Sequence, residues 1–443
     1  MRSRKFLQIA LIMQKNDCLL PMIALKLVAD NGEIKNVKER FLLQEQPSSV
    51  PEQPLIATGR LDHLLFITVT ILYWSTLYVY VPILPPFMSE SGHSEMVIGI
   101  VLGSYGLTQL IIRFPLGLLS DTLQRRKPFL ILGMLSGAIS CLLFTIPGSW
   151  MWPLAGRIIS GISASTWVAF TVLYAAYFTS AQTARAMSNI SFMTVAGQLI
   201  GMTLSGWLAG ARGWNAAFIT GIAIGVLGLI LAFAVKEPKG GVAREPISLK
   251  LLGEVMRKRT LLQVSTLSIL AHSVLFITMF GFTPLQATTL GASKEELTLI
   301  VIAFMVPHAF VALWSGRYLA PRFGIWNVIT VGFAFSALFT VAIPFSDSLG
   351  MLALTQALNG LAQGLHFPLL LGLAIQPFEP AKRATAMGFY QAVYSAGMFA
   401  GPFLAGFINE QFGLKGGFWL GGCFAVIALV LTLWWRRSGE PSL

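Results

Sequence analysis

Twelve separate apolar runs, each about as long as a bilayer is thick, constrain this 443-residue chain more than any other feature. They fall at 63–86, 96–119, 128–149, 152–178, 187–209 and 213–235, then at 262–286, 297–319, 326–345, 349–376, 384–408 and 416–435. A helix rising 1.5 Å per residue needs about 20 residues to cross roughly 30 Å of hydrocarbon. In lipid every backbone polar group must find a partner within the protein, so runs of this length are read as helices. The expectation is an all-α, polytopic membrane protein with twelve transmembrane helices in two six-helix bundles. With 55% hydrophobic and only 11% charged residues, the chain is not a disordered protein, a nucleic-acid module or an ordinary soluble enzyme.

The net charge of +12 is distributed by side. If the N-terminus is inside, the inner connections from Arg60 to Arg437 hold 18 Lys and Arg, and the outer ones hold three: Arg212, Lys294 and Lys415. This bias puts both termini in the cytoplasm and requires an even number of spans. The expected organisation is a poorly ordered cytoplasmic tail at 1–59, a six-helix bundle at 60–236, and a cytoplasmic linker at 237–261. A second bundle at 262–436 and a tail at 437–443 complete it. The linker contains Pro238, Gly240, Gly241 and Pro246, and its Arg257-Lys258-Arg259 run is placed to anchor the inner face near anionic lipid.

The halves repeat at an offset of 200. Ala186-Met187 recurs as Ala386-Met387, and Gly197, Gly201 and Gly206 recur as Gly397, Gly401 and Gly406. Both sets lie in the fifth span of their half, as a parallel six-span repeat enclosing a central cleft would have it. Inside lipid such glycines serve helix packing by letting backbones approach closely.

After the second span comes Gly117-Leu-Leu-Ser-Asp121-Thr-Leu-Gln124-Arg125-Arg126-Lys127-Pro128. This stretch resembles the loop 2–3 signature of the major facilitator superfamily at Gly117, Asp121, Arg125 and Arg126, with Gln124 where glycine is usual. Arg157-Ile-Ile-Ser-Gly161 resembles the same family's fourth-span motif, and Gly197–Gly206 its antiporter motif with Met202 in place of proline. The resemblance covers about 60–436 and is to bacterial drug and small-molecule proton antiporters. It implies alternating access in a bacterial plasma membrane, with Asp121 helping to latch one conformation. The second half keeps only Gly316-Arg-Tyr-Leu-Ala-Pro321-Arg322-Phe-Gly324, in which Pro321 stands where an acid is expected.

Candidate coupling or cavity residues are the ionisable and polar groups within spans. No midplane carboxylate is present; from Val97 to Lys236 the only acid is Asp121. Arg157 lies inside the fourth span, and Arg113 near the end of the second, where it is expected to snorkel or to pair with Asp121. His272, His308 and His366 lie in spans seven, eight and ten and are able to carry a proton. Gln356, Asn359, Gln363 and His366 follow steps of three, four and three, so they share one helical face, expected to turn to the bundle interior or the cavity. Tyr390 and Tyr394 are a turn apart and are candidates for the cleft.

The expected function is secondary active transport, proton-coupled export of small hydrophobic or amphipathic compounds. The alternatives are import or facilitated exchange of a polar or anionic metabolite and, in a different class, a non-transporting receptor or scaffold. The expected partners are the lipid bilayer, a small-molecule substrate and protons, with no nucleic acid and no obligate protein partner. No phosphate loop, HExxH or paired-cysteine motif occurs, so no enzyme activity, cofactor or metal is expected. Cys18, Cys141 and Cys423 are too far apart to form a metal or redox motif.

Overall fold

A computed structural model describes residues 58–179, 182–237 and 249–437. Within them run twelve helices long and apolar enough to cross a membrane. The first six are α1 (Arg60–Tyr78), α2 (Glu95–Leu123), α3 (Lys127–Phe144), α4 (Met151–Ala175), α5 (Arg185–Arg212) and α6 (Trp214–Ala232). The second six are α7 (Arg259–Thr289), α8 (Leu297–Phe323), α9 (Ile325–Phe345), α10 (Leu349–Ile375), α11 (Thr385–Phe412) and α12 (Leu414–Arg436). The protein is therefore an all-α integral membrane protein. Because the spans alternate, α1 begins and α12 finishes at one end of the bundle, the termini end; α2 and α8 begin at the opposite, far end.

Glycine sets the helix crossings within each half. A Cβ on Gly197 or Gly201 of α5 would lie 2.7 Å from Ile71 O and 2.6 Å from Ser75 O of α1. The second half repeats this: Gly397 of α11 rests against Ile269 of α7, and a Cβ on Gly401 would lie 2.7 Å from Ser273 O. Such backbone contact supplies the dispersion energy that apolar side chains cannot gain by leaving one apolar medium for another.

Three local features depart from the periodicity of the sequence. The first apolar run does not continue as one helix to 86. α1 ends at Tyr78, a turn follows, and a separate short helix spans Leu84–Glu90. Pro82 lacks an N–H and disfavours the helical region for Val81, which accounts for the break. α7 contains a π-helical segment at Thr278–Phe282, just before Pro284, and α8 contains another at Ser315–Leu319. One-turn π insertions of this kind re-aim the side chains that follow. The linker holds a short helix, Leu249–Met256. The expected tails at 1–59 and 437–443 lie outside the described residues except for Thr58, Gly59 and the backbone of Arg437.

Candidate functional site

The two halves meet along α2 and α11, which run antiparallel. A Cβ on Gly99 would lie 2.5 Å from Pro402 O and 2.7 Å from Gly406 Cα, and one on Gly103 would lie 2.8 Å from Phe399 O. Gly106 rests on Met398 and Phe399, and Gln109 Nε2 reaches Met398 Sδ at 3.8 Å. The repeat-related pair α5 and α8 closes in the same way, with Gly206 against Lys294 O and Thr298. Polar bonds lock the far end: Met96 N–H donates to Glu410 at 3.2 Å, and Lys294 lies 3.5 Å from Glu90 and 4.0 Å above the Trp214 ring. At the termini end the contact stops, since a Cβ on Gly117, Gly316 or Gly388 would meet nothing within 4 Å. The bundle is thus sealed at its far end and parted at the termini end. In this state, among the described residues, nothing lies within 4 Å of a Cβ placed on Gly117.

Asp121 and Arg126 form a buried ion pair of 2.7 Å, both side chains at most 3% exposed. Arg126 also donates to Ser120 Oγ, and its backbone N–H donates to Glu237. Arg125 is exposed beside them. These partners lie within the first half or, in Glu237, at the first residue of the linker. Gln124 is the single described non-glycine residue with positive φ, at 52°, in the left-handed conformation that ends α2. That conformation is the physical reason glycine suits the position.

Arg113 neither snorkels nor pairs with Asp121. Its side chain, 5% exposed, spans the two halves: Nη1 donates to Gln391 O and to Tyr394 Oη, each at 3.4 Å. Nη2 donates to Ala164 O at 3.3 Å and to Gln109 Oε1. The acceptors one turn back on α2 and across on α11 hold both terminal nitrogens of the guanidinium where it is, so the costly reach to the headgroups is unnecessary. Arg157 is as deeply buried. It donates to Leu102 O at 3.1 Å, and its guanidinium lies 4.4 Å from the Tyr105 ring centre and 5.9 Å from that of Tyr80. Among the described residues neither arginine has a carboxylate within ion-pairing distance. Gly161, one turn past Arg157, packs on Tyr105 and Thr108 and so holds α4 against α2.

Around Arg157 the cleft is walled by Leu77, Tyr78, Val81 and Tyr105 from the first half and Phe276 and Phe280 from the second. The sealed state leaves about 10 Å³ there. Tyr78 meets Phe280 edge-on at 5.6 Å, and Tyr105 stacks with Phe276 at 6.1 Å. Sequence reasoning missed Tyr105, Gln109, Phe276 and Phe280. The spacing of Tyr105, Gln109 and Arg113, four apart on an apolar span, was the available signal.

Gln356, Asn359, Gln363 and His366 are all buried and share one face of α10. That face turns into the second half, toward α9. Thr340 donates to Asn359 Oδ1 at 3.2 Å, and His366 stacks on Phe333 with ring centres 4.3 Å apart. His308 stacks on Phe304. The histidine placed at the seam is His272, lying flat on Tyr394 with ring centres 4.0 Å apart and 4° between planes. Tyr390, one turn from Tyr394, bonds Ser268 at 2.6 Å within the second half.

The wider comparisons agree with this geometry. Among solved structures, the chain is similar to the nucleoside transporter NupG (TM-score 0.72, 14% identity, 84% of this chain and 99% of that one). It is also similar to a bacterial homolog of the human lysosomal transporter Spinster in an inward-facing, unoccupied conformation (TM-score 0.73, 15% identity, 87% of this chain and 100% of that one). Among curated proteins, it is 24% identical over 365 residues to the uncharacterized MFS-type transporter YceJ of Bacillus subtilis, covering 80% of this chain and 91% of that one. It is 25% identical over 334 residues to the class C tetracycline resistance protein of Escherichia coli, covering 73% and 83%. The family profile described as Major Facilitator Superfamily matches residues 66–288 and 264–443, which take in both glycine-seated halves, the Asp121 loop and the Arg157 cleft. This protein belongs to the major facilitator superfamily and is a secondary transporter that moves small molecules across a membrane.

Proposed function

We propose that this transporter exports amphipathic, aromatic-rich compounds of no net positive charge in exchange for protons, from a bacterial plasma membrane with both termini in the cytoplasm. The observation that carries the reading is the cleft around Arg157, where aromatic walls flank a buried guanidinium with no carboxylate partner among the described residues. A flat compound finds rings to stack on, and its acidic or carbonyl oxygens find a donor. A lipophilic cation meets repulsion instead. Relatives named for tetracycline resistance, multidrug export and quinolone resistance support the substrate class.

His272 is the proposed proton carrier. A carbonyl oxygen only accepts, so the 2.7 Å contact of Nδ1 with Ser268 O puts the hydrogen on Nδ1 and leaves the lone pair on Nε2. A proton on Nε2 sets a second cation against the Tyr394–Arg113 array that ties the halves, and so loosens the α2–α11 seam. With the termini inside, the present state faces inward, and the bundles 60–236 and 262–436 rock about the cleft. Residue numbers of facing pairs fall along α11 about as they rise along α2, from Gly99 with Pro402 to Arg113 with Gln391. Continuing that register sets the Asp121 loop opposite Lys382 and Arg383. We assign Gly117, Asp121, Arg125 and Arg126 to that closure.

The test is proton flux in proteoliposomes under an imposed pH gradient, with a panel of neutral and anionic aromatic compounds, lipophilic cations, sugars and small organic anions. Flux evoked by the aromatic compounds, lost in Arg157→Ala and uncoupled in His272→Phe, is expected. The two unpaired arginines also favour a second reading, facilitated exchange of a small organic anion. Flux of such an anion without proton movement would establish it and overturn the first.

A further inference from the structure

The termini end of the first half contains a cavity that shares no lining residue with the cleft around Arg157. Its volume is about 530 Å³, within the range of roughly 300–1,000 Å³ common for small-ligand sites. All of its lining residues lie between Arg60 and Asn189. One face of α1 supplies Arg60, His63, Leu64 and Ile67, at steps of three, one and three. The last turn of α4 supplies Tyr174, the α4–α5 turn supplies Tyr177 and Phe178, and the first two turns of α5 supply Arg185 and Asn189.

The chemistry of this cavity has one sign. Two arginines line it, and no carboxylate does. Among the described residues neither Arg60 nor Arg185 is in an ion pair. The nearest acid in sequence, Asp62, is committed elsewhere: it pairs with Lys236 at 2.8 Å and accepts from the Gly59 N–H at 2.8 Å. The N-terminal ends of α1 and α5 both open here, adding positive partial charge from their free N–H groups. The aromatic floor is closely packed. His63 meets Tyr177 and Phe178 edge-on at 5.5 and 5.2 Å, and Tyr177 Oη donates to Lys236 O at 2.7 Å. Asn189 Nδ2 lies 3.5 Å from Tyr174 Oη and brings a side-chain amide to the same wall.

We infer that this cavity binds a phosphate-bearing anion, with Arg60 and Arg185 as its charged donors, His63 and Asn189 as polar contacts, and the Tyr174–Phe178 rings as the floor. Planar guanidiniums match phosphate oxygens in pairs. The site stands at the end of the spans, where lipid phosphates lie, and exposed Leu64 continues it toward the apolar layer. The headgroup of an anionic phospholipid is one source of such a group, and a soluble organic phosphate is the other.

The experiment uses the full-length protein in detergent. Native mass spectrometry counts retained phosphatidylglycerol against phosphatidylcholine, and thermal unfolding is followed with each lipid and with inorganic phosphate alone. Selective retention of phosphatidylglycerol, with a raised unfolding temperature, is expected. Each arginine removed in Arg60→Gln and Arg185→Gln is expected to weaken binding about tenfold, the worth of one charged hydrogen bond. Arg60→Lys with Arg185→Lys restores part of it and shows that the site still folds. Arg212→Gln with Lys415→Gln, exposed at the far end, leaves it unchanged. Stabilisation by inorganic phosphate but not by phosphatidylglycerol, lost in the same arginine variants, assigns the site to a soluble phosphate compound. Undiminished phosphatidylglycerol binding in the arginine variants, equal loss in the far-end variant, or binding of neither probe overturns the inference.

Discussion

Replacing Gly99 with alanine tests the sealed far end directly. The new Cβ would stand 2.5 Å from Pro402 O and 2.7 Å from Gly406 Cα, both backbone atoms that no rotamer change can move aside. An ordinary contact needs about 3.5 Å, so α2 and α11 must part by roughly 1 Å. Overpacking of this kind costs about 1–3 kcal/mol. When the far end opens, the two backbones separate and the cost disappears. The substitution therefore penalises one state only and shifts the equilibrium toward far-end opening by roughly 5- to 150-fold.

Spin labels report the shift as distances. Ser91 and Lys415 are exposed near the far ends of the two halves, and Leu123 and Arg383 near the termini end. In Gly99→Ala the first distance is expected to lengthen and the second to shorten. Gly117→Ala is the companion. Its Cβ meets nothing in the present state, and the proposed closure of the Asp121 loop brings α11 against it in the other. It should move both distances in the opposite sense. Unchanged distributions in folded Gly99→Ala protein would refute the claim that this contact exists in only one state.

Three further outcomes follow from single sites. Arg157→Lys should fail to restore transport of an aromatic substrate in proteoliposomes, because an ammonium lacks the flat face that lies over Tyr105; wild-type flux would exclude stacking as its role. Asp121→Ala breaks the buried ion pair with Arg126, so thermal unfolding should show a loss of about 3–5 kcal/mol, with a double-mutant cycle to Arg126→Ala recovering part of it. Gln124→Gly removes a left-handed non-glycine residue and should stabilise the protein by about 1 kcal/mol, read as a higher unfolding temperature.

The twelve spans were legible because length and apolarity are local properties, and lipid leaves helix as the structure for such runs. The repeat was legible because close crossings leave glycines at fixed spacing, and Gly197, Gly201, Gly397 and Gly401 sit where α1 and α7 cross. The partners of polar groups were not legible. Arg113 stood eight residues before Asp121, and nothing in that stretch names Gln391 or Tyr394, nearly three hundred residues away, as acceptors. Periodicity placed Gln356, Asn359, Gln363 and His366 on one face of α10, yet it could not say that α9 covers that face. The π segments of α7 and α8 escaped for the same reason: their extra residue is accommodated by packing and leaves the apolar run intact.

The repeat makes the termini end a further test of gating. The offset of 200 carries the α2–α11 seam onto α8–α5, and both close on glycine at the far end, Gly406 on Gly99 and Gly206 on Thr298. At the termini end the symmetry fails chemically: Asp121 stands at the end of α2, and exposed Pro321 occupies the corresponding place on α8. If carboxylates there favour closure, Pro321→Asp should add a second latch, facing the start of α5 and its Arg185. A solvent-exposed pair is worth about 0.2–1 kcal/mol, so the closed population should rise by at most about fivefold. Labels on Arg322 and Asn189 would read it as a shortened distance that salt reverses, since screening weakens exposed pairs first. A salt-independent shortening would point to the lost proline ring rather than to the new charge, and no shortening would mean that Asp121 acts through its buried bond to Arg126 rather than by its charge on the opposite half.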